Sequence, residues 1–436
     1  MKYNRLAFLI GLVFLVSITV CTANWPLAKG TFIQDWLVKD WSSEMLAKEL
    51  NYLKEAGIEF LLFAPTAYGH NDGHYLSTLY PTKIPNWKEY YPGNDVLEKL
   101  LIALKKADMK IILGLNMNDL WWGKGIKDPE WLYSEISLGN TLAQEIYELY
   151  YPKYKDTIIG WYFVWEIDNL MVRGKGKADI ISHAFNIQLD FLTKLDPNLF
   201  LVWSPYMNPQ LATKEEYRDF WIEVFAKTHF RSGDVFAPMD CVGGGGTTID
   251  TFPAWFAEFR KAVDTKPGLL FWSNAENFVH TDWTSATINR FVEQLKRAAP
   301  YVDNFITFAY PHYYSPNIID SGFHTTYLEY VQTGDYEKIP PTPPKDLSMV
   351  IISLDELFLR WDPGSDNIGV AGYIIYRDGK QIGKTQVLKQ GDRGLFVNAF
   401  KESKLRIGKT YKYSVCSYDF AGNISDFSEV LEYTHE

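Results

Sequence analysis

The sequence predicts an α/β fold, a (β/α)₈ TIM barrel followed by a small all-β sandwich. Three observations point there. From Gly30 onward, short apolar runs alternate with amphipathic stretches of helical period, and the alternation repeats eight times. No G-x-G-x-x-G turn follows any early strand, which argues against an open doubly wound sheet. Beyond the proline-rich segment IPPTPPKD, the pattern changes to short alternating strands separated by turn signals.

The elements follow in order. Strands are expected at 30–34, 59–64, 110–115, 157–168, 199–203, 234–238, 268–272 and 304–309. Between them, helices are expected at 43–56, 95–107, 129–150, 178–195, 214–228, 252–263 and 285–298, and a shorter one at 325–331 closes the series. The first helix carries Met45, Leu46, Leu50 and Leu53 on one face, with Gly57 as its stop. The run TIIGWYFVWEID has no room for polar alternation, as expected of a strand buried on both faces, and it ends in Glu166 and Asp168. A carboxylate at such a tip is not there for packing, since Glu is rarely buried unless paired.

Residues 1–23 stand apart. Lys2 and Arg5 precede an apolar run and then Cys21-Thr22-Ala23, which reads as a cleaved signal peptide and implies a secreted, periplasmic or cell-surface protein. A lipid anchor at Cys21 is a weaker alternative, because Val20 suits it poorly. No later stretch is apolar enough to span a membrane. The net charge of −10 argues against a nucleic-acid partner, which requires a basic surface. After cleavage only Cys241 and Cys416 remain, in different expected domains, so a disulfide is not expected.

The expected organisation is a leader at 1–23, a barrel at 24–333, a linker at 334–346 and a β-sandwich at 347–436. The stretches WDPGSDNIGVAGYIIYRDGKQIG and YKYSVCSYDFAGNISDFSE resemble fibronectin type III modules.

In such a barrel, chemistry sits at the C-terminal ends of the strands. Those positions hold Gln34 and Trp36 after the first strand, then Tyr68 and His70, then Asn116, Asn118 and Trp122. The fourth offers Trp165, Glu166 and Asp168, the fifth Trp203 and Tyr206, and the sixth Asp240. The seventh offers Trp272, Asn274 and Glu276, and the eighth Tyr310 and His312. This mouth is made of carboxylates, carboxamides and aromatic rings, with few basic groups to hold a phosphate. Two carboxylates across such a mouth can cleave a glycosidic bond, one donating a proton to the leaving oxygen and the other meeting the oxocarbenium-like carbon. Aromatic rings suit the C–H faces of pyranoses. Gln34, Asn116, Asn118, Asp240 and Asn274 are the candidate hydroxyl ligands, and Trp36, Trp122, Trp203, Trp272 and Tyr310 the candidate stacking platforms.

Here the chain resembles the large clan of retaining glycoside hydrolases built on (β/α)₈ barrels. The resemblance implies that Glu166, in WYFVWEIDN, is the acid/base and Glu276, in FWSNAENF, the nucleophile. The stretches GTFIQDW, WYFVWEIDN and APMDCVG also resemble an uncharacterised bacterial family of glycosidase-like barrels, over roughly residues 30 to 314. One departure stands out: the clan carries Asn immediately before the acid/base, and this chain has Trp165. Asn116 or Asn274 would then contact the sugar 2-hydroxyl, or Asp168 would serve as the acid.

No cofactor or metal is required by this reading. The alternative is a glycosidase-like barrel that binds carbohydrate without cutting it. A metal-dependent hydrolase using His70 or His74 is a third reading. The run 243–246, four glycines, is expected to be a mobile loop beside the site, and the basic run 173–177 a solvated loop able to meet an acidic sugar.

Overall fold

A computed structural model describes residues 25–70, 76–353, 356–387, 397–403 and 405–435. The leader, the lipid-anchor cysteine and His74 lie outside the described residues.

Eight parallel strands close into a barrel: β1 (Gly30–Ile33), β2 (Phe60–Phe63), β3 (Lys110–Gly114), β4 (Ile158–Phe163), β5 (Phe200–Trp203), β6 (Val235–Phe236), β7 (Leu270–Glu276) and β8 (Asn304–Phe308). Each pairs with its sequence neighbour, and β8 closes on β1 through Ile306 opposite Gly30. Eight longer helices cover the outside: α1 (Ser43–Glu55), α2 (Val96–Ala107), α3 (Pro129–Tyr154), α4 (Lys177–Leu195), α5 (Lys214–Lys227), α6 (Phe252–Val263), α7 (Ile288–Ala298) and α8 (Ser321–Thr333). Their starts are written in the sequence. Ser42 accepts from the Met45 amide, Asp95 from Glu98, and Thr213 with Glu216 forms a full capping box.

Two apolar layers result. Phe32, Phe60, Leu62, Ile112, Tyr162, Val202 and Trp272 fill the barrel interior. A larger layer joins the outer strand faces to the helices. Both faces of every strand are thus buried, which is why the strands read as continuous apolar runs.

Strand β7 is longer than its sequence suggested. The expected end was Trp272, but pairing with β8 continues through Ala275 to Glu276. Glu276 is therefore the last strand residue, and Trp272 lies near the strand's beginning, below the mouth. Strand β4 is shorter, so Glu166 stands three residues beyond its end.

The C-terminal part holds a three-stranded sheet, β9 (Lys345–Ser353), β10 (Glu356–Asp362) and β13 (Ala399–Ser403), and a four-stranded one. The latter comprises β11 (Val370–Arg377), β12 (Lys380–Gln386), β14 (Thr410–Asp419) and β15 (Leu431–Thr434). Trp361, Tyr373, Ile375, Tyr413 and Val415 form their common core. This part packs directly on the barrel. Phe420 sits edge-on to Phe323 at 4.8 Å, over Gly322, where a Cβ would fall 2.1 Å from the Phe420 ring. The backbone carbonyls of Phe420 and Ala421 accept from the amides of Ile288 and Asn289, satisfying two of the orphan donors at the start of α7. Cys241 and Cys416 are buried and unbridged. No helix among the described residues is long and apolar enough to cross a membrane.

Candidate active site

Glu276 is only 3% exposed, and it is held from several sides. The turn after β6, residues 243–246, lies on top of it, and the Gly244 amide donates to its carboxylate at 2.6 Å. A Cβ at Gly243 would stand 2.8 Å from the Glu276 Cβ, so the backbone reaches the carboxylate only as glycine. The expected mobile loop is instead a packed turn: the His280 amide donates to Gly243 O at 3.0 Å, and Thr247 closes onto Cys241 O at 2.9 Å. From α7, Arg290 donates to the carbonyls of Glu276 and Phe278. Behind it, Asp240 is fully buried and accepts from the Val242 amide and the Gln294 carboxamide.

Burial first, and then the Asp240 charge, raise Glu276 to about 8. Burial raises Asp240 to about 6 against the lowering pull of Gln294. The two carboxyls titrate as a pair.

Glu166 is different. Its backbone is fixed, because Trp121 Nε1 donates to its carbonyl at 3.0 Å, while the neighbouring Trp165 is buried between Trp121 and Trp131. Its carboxylate accepts no hydrogen bond and joins no ion pair among the described residues. Neither Arg173 nor Lys175 neutralises it. Burial and then the charge of Asp168 raise it to about 7. Asp168 itself accepts from the Leu170 amide at 2.9 Å.

Both glutamates line one cleft of about 660 Å³. Trp36 (49% exposed) and Trp283 (65% exposed) stand in its walls. Trp283 stacks on Phe278 at 5.4 Å, and Phe278 on Tyr313 at 5.5 Å. Trp36 donates to Gln34 at 2.9 Å and packs edge-on to His312 at 4.9 Å. Burial pushes His312 down to about 4, so its imidazole is neutral. Two further depressions, of about 300 and 180 Å³, also reach Glu166 and share Trp122, which is 62% exposed. Glu166 thus stands where three hollows meet.

The structure brings Gln34, Trp36, Glu166, Tyr206 and Glu276 to the main cleft, and Trp122, Asp168 and Asn274 to the adjoining hollows. Asn274 donates to Ser204 at 2.8 Å and leaves its buried Oδ1 without a partner. Asp240 lies beneath Glu276 and acts on its charge, with no surface left for a sugar.

Other sequence candidates are engaged elsewhere. Trp203 is buried and stacked on Phe230 at 4.3 Å, behind the strand. Trp272 packs against Phe60 inside the barrel. Tyr310 is buried and bonds His324 at 2.6 Å. Trp165 belongs to the tryptophan cluster described above. Asn116 and Asn118 are buried and donate to Glu135 of α3, each at 3.1 Å. Tyr68 donates to Asp35 at 2.7 Å, and His70 bonds Ser77 at 2.7 Å. None of these eight lines the cleft.

Sequence reading placed His312 at the mouth but did not select Phe278, His280, Trp283 or Tyr313 for the site. Trp283 sits in the short hairpin formed by Phe278–Val279 and Thr284–Ser285, at a positive φ of 54° that is rare for so bulky a residue. The C-terminal part holds this hairpin. Gln386 accepts from the Ser285 amide at 2.8 Å and donates to the Ser285 carbonyl at 2.9 Å.

Among the described residues, one carboxylate trio has metal-ligand spacing: Glu337, Asp366 and Asp419, with oxygens within 4.8 Å of one another. None of the three lines the cleft.

Fold and site together define a closed parallel (β/α)₈ barrel with two glutamates in one cleft at its mouth. The chain belongs to the family described as "Domain of unknown function (DUF4434)", whose profile matches residues 28–320. A solved structure from Bacteroides thetaiotaomicron, provisionally assigned as an alpha-L-fucosidase, shares the fold with a TM-score of 0.55 at 22% identity. That match covers 72% of this chain and 94% of that one. An alpha-amylase of Niallia circulans is 35% identical over 88 residues, 20% of this chain and 6% of that protein. Chitinase Chi52 of Paenibacillus xylanexedens is 32% identical over 103 residues, 24% of this chain and 18% of that protein. The chain thus spans less than a fifth of the length of these two curated relatives.

Proposed function

We propose that the protein is an exported glycoside hydrolase acting on an oligo- or polysaccharide by retaining double displacement. The observation that carries this is the placement of Glu166 and Glu276, from β4 and β7, in one cleft walled by exposed tryptophans. Glu276 attacks the anomeric carbon as the leaving oxygen takes a proton from Glu166. Glu166, then ionised, withdraws a proton from the water that releases the sugar from Glu276. A carboxyl raised to about 7 suits that double duty. The Gly244 amide and the wall around Glu276 hold the nucleophile on line. Trp36 and Trp283 stack on sugar rings, and Gln34, Tyr206 and Asn274 are the polar groups left to meet hydroxyls. The seven strands among the described residues of the C-terminal part, split three and four, support a fibronectin type III-like module.

A binding protein without catalysis is the second reading, and Trp165 favours it. No carboxamide precedes Glu166, and Asn116 and Asn118 are occupied by Glu135.

A panel of methylumbelliferyl glycosides (fucose, glucose, N-acetylglucosamine and its oligomers) with soluble starch, glycol chitin and anionic polysaccharides separates the two readings. Hydrolysis that disappears in Glu276→Gln supports the enzyme. Retention on a glycan with no product from wild type supports the binder.

A further inference from the structure

The basic run 173–177 plays no part in the two-carboxylate chemistry, yet it borders the site. The hollow of about 300 Å³ beside Glu166 is walled by Lys124, Lys127, Arg173 and Lys177, in a chain of net charge −10. Lys124 pairs with Asp128 at 3.2 Å. Lys127, Arg173 and Lys177 form no ion pair with a described residue. Glu216 feels the charge of Arg173 but is held by the amide and hydroxyl of Thr213 in the capping box of α5.

The rest of this hollow is largely apolar. Trp121, Ile126 and Met171 line it, and exposed Trp122 stands at its edge. Its acids are Glu166, which it shares with the main cleft, and Asp168. In an acidic protein, exposed cations usually disperse among carboxylates. Here three converge on one hollow with a flat aromatic edge, and none of them forms an ion pair with a described residue, although Glu166 and Asp168 share the lining. A neutral sugar needs the ring surface but not the cations. A free inorganic anion needs the cations but not the ring surface. A sugar ring bearing a carboxylate or sulfate uses both: the ring lies against the indole, and the anion meets the guanidinium fork and two ammonium groups.

We propose that this hollow is a subsite for an anionic sugar residue, a uronate or a sulfated sugar, next to Glu166 on the side away from Trp283. The proposal rests on the glycosidase reading for its place along the substrate, and on the cations alone for its charge preference. Partial enclosure strengthens such pairs over those in open water, and added salt weakens them.

The test is affinity electrophoresis of the full chain carrying Glu276→Gln, against polygalacturonate, chondroitin sulfate and neutral dextran. Polygalacturonate or chondroitin sulfate should retard it at about 50 mM salt, less so at about 500 mM. Adding Lys127→Ala, Arg173→Ala and Lys177→Ala should weaken that retention at least about tenfold, with melting temperature unchanged. Retention by polygalacturonate alone assigns a carboxylate, and by chondroitin sulfate alone a sulfate, since both carry uronate. A single Arg173→Glu gives a second measure, because it reverses one charge on the rim of the hollow. Absence of retention by either polyanion, or retention unchanged in these variants, overturns the proposal. Retention by a polyanion that wild type does not cleave upholds the subsite and tells against hydrolysis.

Discussion

Glu276 is locked into the wall of the cleft, whereas Glu166 stands at the crossing of three hollows with its carboxylate unclaimed. The first has a backbone amide on its oxygen, an arginine behind its carbonyl and a buried aspartate beneath it. The second has only its backbone pinned, by Trp121. The contrast matches the two tasks proposed for them. A nucleophile must be aimed, and fixed donors aim it. A group that gives and takes a proton must reach both a leaving oxygen and a water, and donors bound to it would compete.

The largest effect that would break this pairing comes from the locked partner. Glu276→Gln should lower kcat more than about 10⁴-fold, measured on an aryl glycoside the wild type cleaves. Glu166→Gln should lower it about 10²–10⁴-fold on a natural glycoside, and much less when the leaving group is an acidic phenol that needs no proton. Equal losses on both substrates would contradict the acid role.

The pH dependence sharpens the same contrast. Glu166 must hold its proton while Glu276 has lost its own, and the acid at about 7 lies below the nucleophile at about 8. The reactive form is then a minor one, so kcat/KM should rise up to about pH 7, level off, and fall above a limb at about 8 set by Glu276. Removing the neighbouring negative charge with Asp240→Asn should move that limb to lower pH. Stability runs the opposite way. The Glu276 carboxyl is raised in the fold from 4.5 to about 8, so the folded chain binds the extra proton. Its contribution is full below about pH 4.5 and is lost as pH rises through about 8. Glu276→Gln should therefore gain melting temperature over wild type at pH 8 more than at pH 5.

Two tryptophans on one barrel give the next test. Trp203→Ala should cost about 3–5 kcal/mol of stability, because Trp203 is wholly inside. Trp283→Ala should leave melting almost unchanged and raise KM about tenfold. The smallest expected effect lies farthest from the chemistry. Gln386→Ala removes both bonds to Ser285, destabilising by about 1–3 kcal/mol. It should also loosen the Trp283 hairpin, raising KM more than it lowers kcat. A change in melting temperature without a change in KM would leave Gln386 with packing alone.

The barrel was legible because eight apolar runs and their intervening amphipathic helices are local signals. That the two glutamates reach one mouth was legible because they follow such runs. Trp165, Trp203, Trp272 and Tyr310 were not, since both faces of a barrel strand are apolar and the sequence does not say which face looks up. Asn116 and Asn118 were misread because their partner Glu135 lies on a helix that only the fold brings near. The Trp283 hairpin escaped notice because its support comes from Gln386, about a hundred residues on.

The most direct test of the central claim is the anomeric configuration of the first-formed product, followed by proton NMR before mutarotation. Retention is the outcome expected if Glu276 attacks the sugar and Glu166 serves both steps. Inversion would contradict it, making Glu276 a base that activates water rather than a nucleophile.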